Sequence, residues 1–126
     1  MKNFALLLLL LSISNTFAQT VSEDILGKWQ LQSLEVDGDK ATAKETFNTT
    51  NVFQLYSENN IFQSTVDDKI NKGTWEISDD QKAVHINLDI LDKVQKYTIT
   101  KLTASELELY NSDDGQEIKL FYRKKM

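Results

Sequence analysis

The segment AVHINLDI, residues 83–90, alternates between apolar and polar side chains. Its apolar members are Val84, Ile86, Leu88 and Ile90, and its polar members are His85, Asn87 and Asp89. Because successive side chains of an extended strand point to opposite faces, this spacing predicts a strand with one buried and one solvated face. Such a strand needs other elements to cover its apolar face.

Similar segments recur through the chain and are separated by turn-forming residues such as Glu58-Asn59-Asn60 and Ser112-Asp113-Asp114-Gly115. Eight strands are predicted, at residues 29–36, 51–57, 61–66, 73–77, 83–90, 94–101, 106–110 and 117–123. Since short turns reverse the chain between neighbouring strands, consecutive strands are expected to pair antiparallel.

Eight one-sided strands without a long helix to cover them predict an all-β fold, an eight-stranded antiparallel up-and-down meander barrel. Residues 21–26 are expected to form a short helical turn before it. Residues 37–47 are predicted to be a polar connection, longer than a hairpin needs and a candidate lid. A barrel of this size is either filled by its own side chains or holds one small ligand.

The first 18 residues have the pattern of a secretory signal peptide. Lys2 is followed by an apolar run and then by Ala18, a small residue suited to cleavage, and the run is too short to span a bilayer. We therefore expect residues 1–18 to be a signal peptide and residues 19–126 to form the barrel domain. The expected location is periplasmic or secreted.

Composition argues against several classes of function. The chain has no cysteine, which excludes disulfides, thiolate sites and a lipidated cysteine anchor, so no membrane anchor is expected. Without residues 1–18 the chain has 13 basic and 19 acidic residues, a balance that disfavours nucleic acid. The single histidine, His85, falls on the polar face of its strand, so we predict no metal site and no cofactor. No spacing of nucleophile, base or phosphate-binding glycines indicates an enzyme.

The opening of the first strand, Leu26-Gly27-Lys28-Trp29-Gln30-Leu31, resembles the Gly-x-Trp signature of the lipocalins. The whole pattern is similar to the short bacterial lipocalin-like domain proteins, in which a phenylalanine-bearing strand, a second Gly-x-Trp strand and a final Tyr-plus-basic strand follow. The corresponding segments here are Phe53 with Leu55, residues 73–77, and Leu120-Phe121-Tyr122-Arg123.

This resemblance implies that Gly27, Trp29 and Arg123 close one end of the barrel, with Trp29 across that end and Arg123 over its ring. Strict alternation from Tyr122 would instead turn Arg123 outward. The resemblance also implies a cup-shaped interior, which in a chain shorter than a full lipocalin is either shallower or filled.

The aromatic residues of the strands could line one shared interior. The predicted ligand-binding residues are Leu31, Phe53, Leu55, Phe62, Trp75, Leu88, Tyr97 and Tyr122. Two functions fit such an interior. One is an exported carrier or sensor of a small hydrophobic ligand. The other is a filled barrel that binds a protein partner, as an interaction or inhibitor module.

Overall fold

The computed structural model describes residues 21–125, so the predicted signal peptide lies outside the described residues. The strands in this part of the chain are β1 (Gly27–Val36), β2 (Asp39–Thr42), β3 (Val52–Ser57), β4 (Ile61–Val66), β5 (Lys69–Ile77), β6 (Ala83–Leu88), β7 (Gln95–Leu102), β8 (Glu106–Asp113) and β9 (Gln116–Lys124). A helical turn at residues 21–24 precedes β1, helix α1 (Ala43–Phe47) follows β2, and a 3-10 turn (Glu58–Asn60) joins β3 to β4.

Eight of these strands form a closed antiparallel barrel, which confirms the predicted fold. The order around the barrel is β1, β3, β4, β5, β6, β7, β8 and β9, and the pairing of β9 with β1 closes it. Closure leaves no free edge among the eight strands. In the described residues no helix is both long and apolar enough to cross a bilayer.

The segment predicted as a polar connection, residues 37–47, is more ordered than expected. Asp37 and Gly38 both have positive φ and form a tight hairpin between β1 and β2. Thr42 then caps α1, because its hydroxyl accepts from the Glu45 amide at 3.0 Å while the Glu45 carboxylate accepts from the Thr42 amide at 2.9 Å. The predicted polar connection therefore contains a short strand and a helical turn, which local turn and capping chemistry organises.

The up-and-down order gives the barrel two different ends. The helical turn 21–24, the 3-10 turn and the connections 78–82 and 103–105 lie at one end, which we call the plug end. The opposite end, which we call the mouth, carries the connections 37–51, 67–68, 89–94 and 114–115.

The strand with the clearest alternation is shorter than predicted. Val84, Ile86 and Leu88 are buried in the interior, but β6 ends at Leu88. Ile90, expected on the buried face, is 69% exposed in the connection at the mouth. The chain turns at this point, where the Asp89 amide donates to Lys72 O at 2.9 Å. Alternation therefore continues in the sequence beyond the residues that form the strand.

Candidate functional site

The plug end is sealed around Trp29, which is fully buried. Its indole Nε1–H donates to the carbonyl oxygen of Ile25 at 2.9 Å, and Ile25 is itself fully buried. Gly27, between them, has a φ of 126°, a conformation that a residue with a side chain rarely adopts. The glycine thus lets the chain turn from the helical segment into β1 and bring Ile25 under the indole.

The basic residue at the plug is Lys124. Its Nζ lies 4.6 Å from the centre of the Trp29 ring and donates to the carbonyl oxygen of Leu26. Arg123 is exposed on the outer face, opposite Gln30 of β1. The expectation that Arg123 covers Trp29 is therefore corrected. Strand alternation explains the difference, because Tyr122 points inward, Arg123 outward and Lys124 inward again.

Aromatic side chains fill the interior next to the plug. Tyr56 meets Phe62 edge to face, with ring centres 5.1 Å apart, and meets Trp75 in the same way at 5.6 Å. The Trp75 indole N–H donates to Ser57 O at 2.9 Å. All three rings are buried, so this half of the barrel is a packed core.

The half of the interior near the mouth is different, because many inward-facing side chains there are only half-buried. Strand register and alternation place them on the inside. These residues, which we call the cup, are Val36, Ser64, Val66, Asn71, Gln95, Tyr97, Asn111, Ile118 and Leu120. Their partial exposure shows that solvent reaches this part of the inner face.

Three tyrosines, Tyr56, Tyr97 and Tyr122, point into the interior between the packed core and the cup. The Tyr56 hydroxyl donates to Gln54 Oε1 at 2.6 Å. Burial, with the neighbouring hydroxyls of Tyr122 and Tyr97, raises the pKa of Tyr56 well above its ordinary value. Burial and the nearby Tyr97 also raise the pKa of Tyr122, and burial alone raises that of Tyr97. All three phenols therefore remain protonated at neutral pH.

The segment between β1 and β3 is attached to the mouth. Ala43 of α1 is buried and packs on the core cluster. Thr49 is also buried, and its hydroxyl donates to the Asp67 carboxylate in the turn between β4 and β5. The Asp67 amide in turn donates to Asn51 O at 2.8 Å. The segment thus covers one side of the mouth and is held by hydrogen bonds.

The predicted ligand-binding residues divide into three groups. Leu31, Leu88, Tyr97 and Tyr122 face the interior, while Phe62 and Trp75 belong to the packed core near the plug. Phe53 and Leu55 lie on the outer face, where Lys28 Nζ is 4.3 Å from the centre of the Phe53 ring. The expectation that these two line the interior is wrong.

The error arises from apolar residues on both faces of β3. Val52, Gln54 and Tyr56 point inward. Because Gln54 is polar, the inward face of β3 does not look apolar in the sequence. The interior residues Tyr56 and Gln54 were therefore missed. Their spacing could have predicted that both face the interior. Residues two apart lie on the same face of a strand, so the Gln54 and Tyr56 side chains can form a hydrogen bond inside the barrel.

The outer surface also has concavities. One of about 470 Å³ is lined by Glu76, Asp79, His85, Lys96 and neighbouring residues. His85 Nδ1 lies 3.8 Å from Glu76 Oε1, and its side chain is 30% exposed. Among residues 21–125, no three His, Cys, Asp or Glu side chains are placed to hold a metal ion. A second concavity, about 440 Å³, lies at the mouth between residues 91–96 and 111–113.

The family of the lipocalin-like domain matches residues 25–109. The chain belongs to this family. No curated protein matches this lipocalin-like chain at a significant level.

Two crystal structures resemble the lipocalin-like barrel. One is a lipocalin-like protein from Bacteroides uniformis, with a TM-score of 0.61 and 20% identity, covering 81% of this chain and 99% of the other. The second is a DUF4847 family protein from Bacteroides vulgatus, with a TM-score of 0.57 and 11% identity, covering 82% and 99% respectively. At these identities the similarity supports the fold only.

The plug predicts different effects for two neighbouring basic residues. The substitution Lys124→Met should lower the free energy of unfolding by about 1 to 3 kcal/mol, because it removes the cation over Trp29 and the donor to Leu26 O. Arg123→Met should change it by less than about 0.5 kcal/mol. Urea denaturation of both variants measures the effect, and a larger loss for Arg123→Met would contradict the assignment.

The buried tyrosines predict a loss of stability in alkali. Above pH 10, the ordinary pKa of tyrosine, the unfolded chain loses its phenol protons while Tyr122 keeps its proton in the folded barrel. Unfolding then releases a proton, so this one group lowers the free energy of unfolding by about 1.4 kcal/mol per pH unit. Tyr122→Phe should reduce the fall in the free energy of unfolding between pH 10 and pH 11 by about 1 kcal/mol, because the unfolded phenol is only half ionised at pH 10. Equal slopes for both proteins would show that Tyr122 ionises normally in the folded state.

Proposed function

We propose that the protein is an exported, non-enzymatic binding protein that holds one small, mainly apolar molecule in the cup. The observation that supports this most is the contrast between the two halves of the interior. The large rings next to the plug are buried, whereas Ser64, Asn71 and Tyr97 remain half-buried below the mouth, among buried neighbours such as Leu34, Val52 and Leu88. Small-molecule sites typically combine a concave apolar wall with a few polar groups.

The cup has the composition that such a site needs. Val36, Val66, Ile118 and Leu120 provide apolar surface, and the amides and hydroxyls of the cup provide hydrogen-bonding groups. Burial of a ligand against such a wall contributes about 25 cal/mol for each Å² of apolar surface removed from water. Binding driven in this way should depend weakly on salt.

Several features support a binding role rather than catalysis. The histidine of the chain lies on the outer face, and the Tyr56 hydroxyl inside the barrel donates to the neutral amide of Gln54. No nucleophile paired with a base is recognisable in the sequence. Export is proposed from the signal-like pattern of residues 1–18.

A protein partner is the second candidate, and exposed apolar residues at the mouth favour it. Ile90, Leu91 and Val94 lie in one connection there, and Phe47 lies at the end of α1; each is at least 40% exposed. A barrel acting as an interaction or inhibitor module would use such a rim to contact its partner.

The cup can be tested with N-phenyl-1-naphthylamine, an uncharged fluorescent probe of apolar sites. The wild-type protein should bind it with increased fluorescence. Asn71→Trp, which places an indole inside the cup, should weaken binding at least about tenfold, because the probe and the indole compete for the same space.

The matched control is Lys72→Trp, at the next position of β5 and on the outer face. It adds the same ring and should leave binding unchanged. Absence of binding by the wild-type protein, or equal loss in both variants, would contradict a ligand site in the cup and favour the partner hypothesis.

A further inference from the structure

The Tyr122 hydroxyl is a polar group in the interior next to the cup. Tyr122 points inward from β9, opposite Leu31 and Leu107, and is only 6% exposed. Within residues 21–125 this hydroxyl has no hydrogen-bond partner, whereas the neighbouring Tyr56 hydroxyl is bonded to Gln54. The sealed side-chain polar atoms without a partner in this part of the chain are Gln81 Oε1 and His85 Nε2, so the Tyr122 hydroxyl is not sealed off and can bond a polar atom that enters the cup.

Tyr97 provides a second hydroxyl inside the barrel. It projects inward from β7 and is half-buried in the cup. Tyr97 and Tyr122 both project into the interior, from the two strands that flank β8. Two such groups can each donate or accept a hydrogen bond, so together they can hold a carbonyl or hydroxyl oxygen at the inner end of the cup.

The cup has no positive charge to balance an anion. Below the rim its inward-facing residues, as far as residues 21–125 show, are apolar, hydroxyl or amide side chains. Lys69, on the inner face of β5 opposite Val66, is exposed at the rim, and Lys124 lies over the Trp29 ring at the plug. A buried carboxylate without a cationic partner is strongly disfavoured. An ionised ligand head would therefore lose its hydration without compensation.

Charges at the mouth also disfavour an anionic ligand. Each of the four connections carries two aspartates in or beside it: Asp37 and Asp39, Asp67 and Asp68, Asp89 and Asp92, Asp113 and Asp114. Lysines are also present, including Lys93, whose Nζ lies 4.0 Å from Asp113 Oδ1, but aspartates predominate. The rim therefore disfavours the approach of anions.

The geometry points to an uncharged ligand with an apolar body and one carbonyl or hydroxyl oxygen, which is held by Tyr122 and Tyr97, and to rejection of the matching carboxylate. This assignment rests on the proposed function of the cup. It adds a polar anchor and a rule of charge selection to burial of apolar surface.

Three probes of equal chain length test this assignment: decan-2-one, decan-1-ol and decanoate. Each is titrated as a competitor of bound N-phenyl-1-naphthylamine at pH 7.5. Decan-2-one and decan-1-ol should displace the dye at concentrations at least about tenfold lower than decanoate. Tyr122→Phe should weaken the binding of decan-2-one about 3- to 10-fold, because one hydrogen bond is lost. Tyr97→Phe should weaken it by a similar factor.

The matched control is Tyr110→Phe, which removes the hydroxyl that donates to Glu117 on the outer face. It should bind all three probes like the wild type. In the absence of ligand, Tyr122→Phe should unfold at the wild-type urea midpoint or above it, because the hydroxyl that it removes is unpaired.

The outcomes separate the two proposals. If decanoate binds as well as decan-2-one, or if neither tyrosine substitution weakens decan-2-one, the anchor and the charge rule are overturned while the cup still binds the dye. If neither the dye nor any competitor binds the wild-type protein, the proposed function fails and the anchor fails with it.

Discussion

The pairing of β9 with β1 is the constraint on which the rest of the structure depends. It closes the sheet, so that the apolar faces of eight strands share one interior. The same pairing places Lys124 opposite Trp29 and Tyr122 opposite Leu31. The register between the first and the last strand of the barrel therefore fixes both the plug and the position of Tyr122.

The interior is divided along its length, and this division gives the fold its capacity to bind. Near the plug, Trp29, Tyr56, Phe62 and Trp75 fill the space and carry much of the apolar burial. Towards the mouth the inward-facing side chains become smaller and more polar, as at Ser64 and Asn71. Stability therefore comes mainly from one half, which leaves the other free to stay open.

Much of the fold could be predicted from the sequence, because strand periodicity and turn chemistry are local properties. All eight barrel strands, the helical turn and the family resemblance follow from short patterns such as residues 83–88 and the two Gly-x-Trp segments. Even so, Ile90 shows that a pattern can continue beyond its strand. The Asp37-Gly38 hairpin was missed although this dipeptide is itself a strong turn signal.

The site was less predictable, because it depends on register between distant strands. Phe53 and Leu55 are apolar but face outward, since pairing with β1 selects the face of Gln54 and Tyr56 for the interior. Similarly, only the end of β9 decides that Lys124 rather than Arg123 reaches Trp29. One-residue shifts of this kind exchange the two faces of a strand, and sequence periodicity alone does not resolve them when both faces are apolar.

The division between packed core and open cup can be measured directly, because the chain has no cysteine and single cysteines can serve as reporters. Ser64→Cys in the cup should react with a thiol reagent within about tenfold of Gln63→Cys on the outer face, whereas Val84→Cys in the packed half should react at least about a hundredfold more slowly. Equal protection of Ser64→Cys and Val84→Cys in the folded protein would show a barrel filled from end to end and contradict the account.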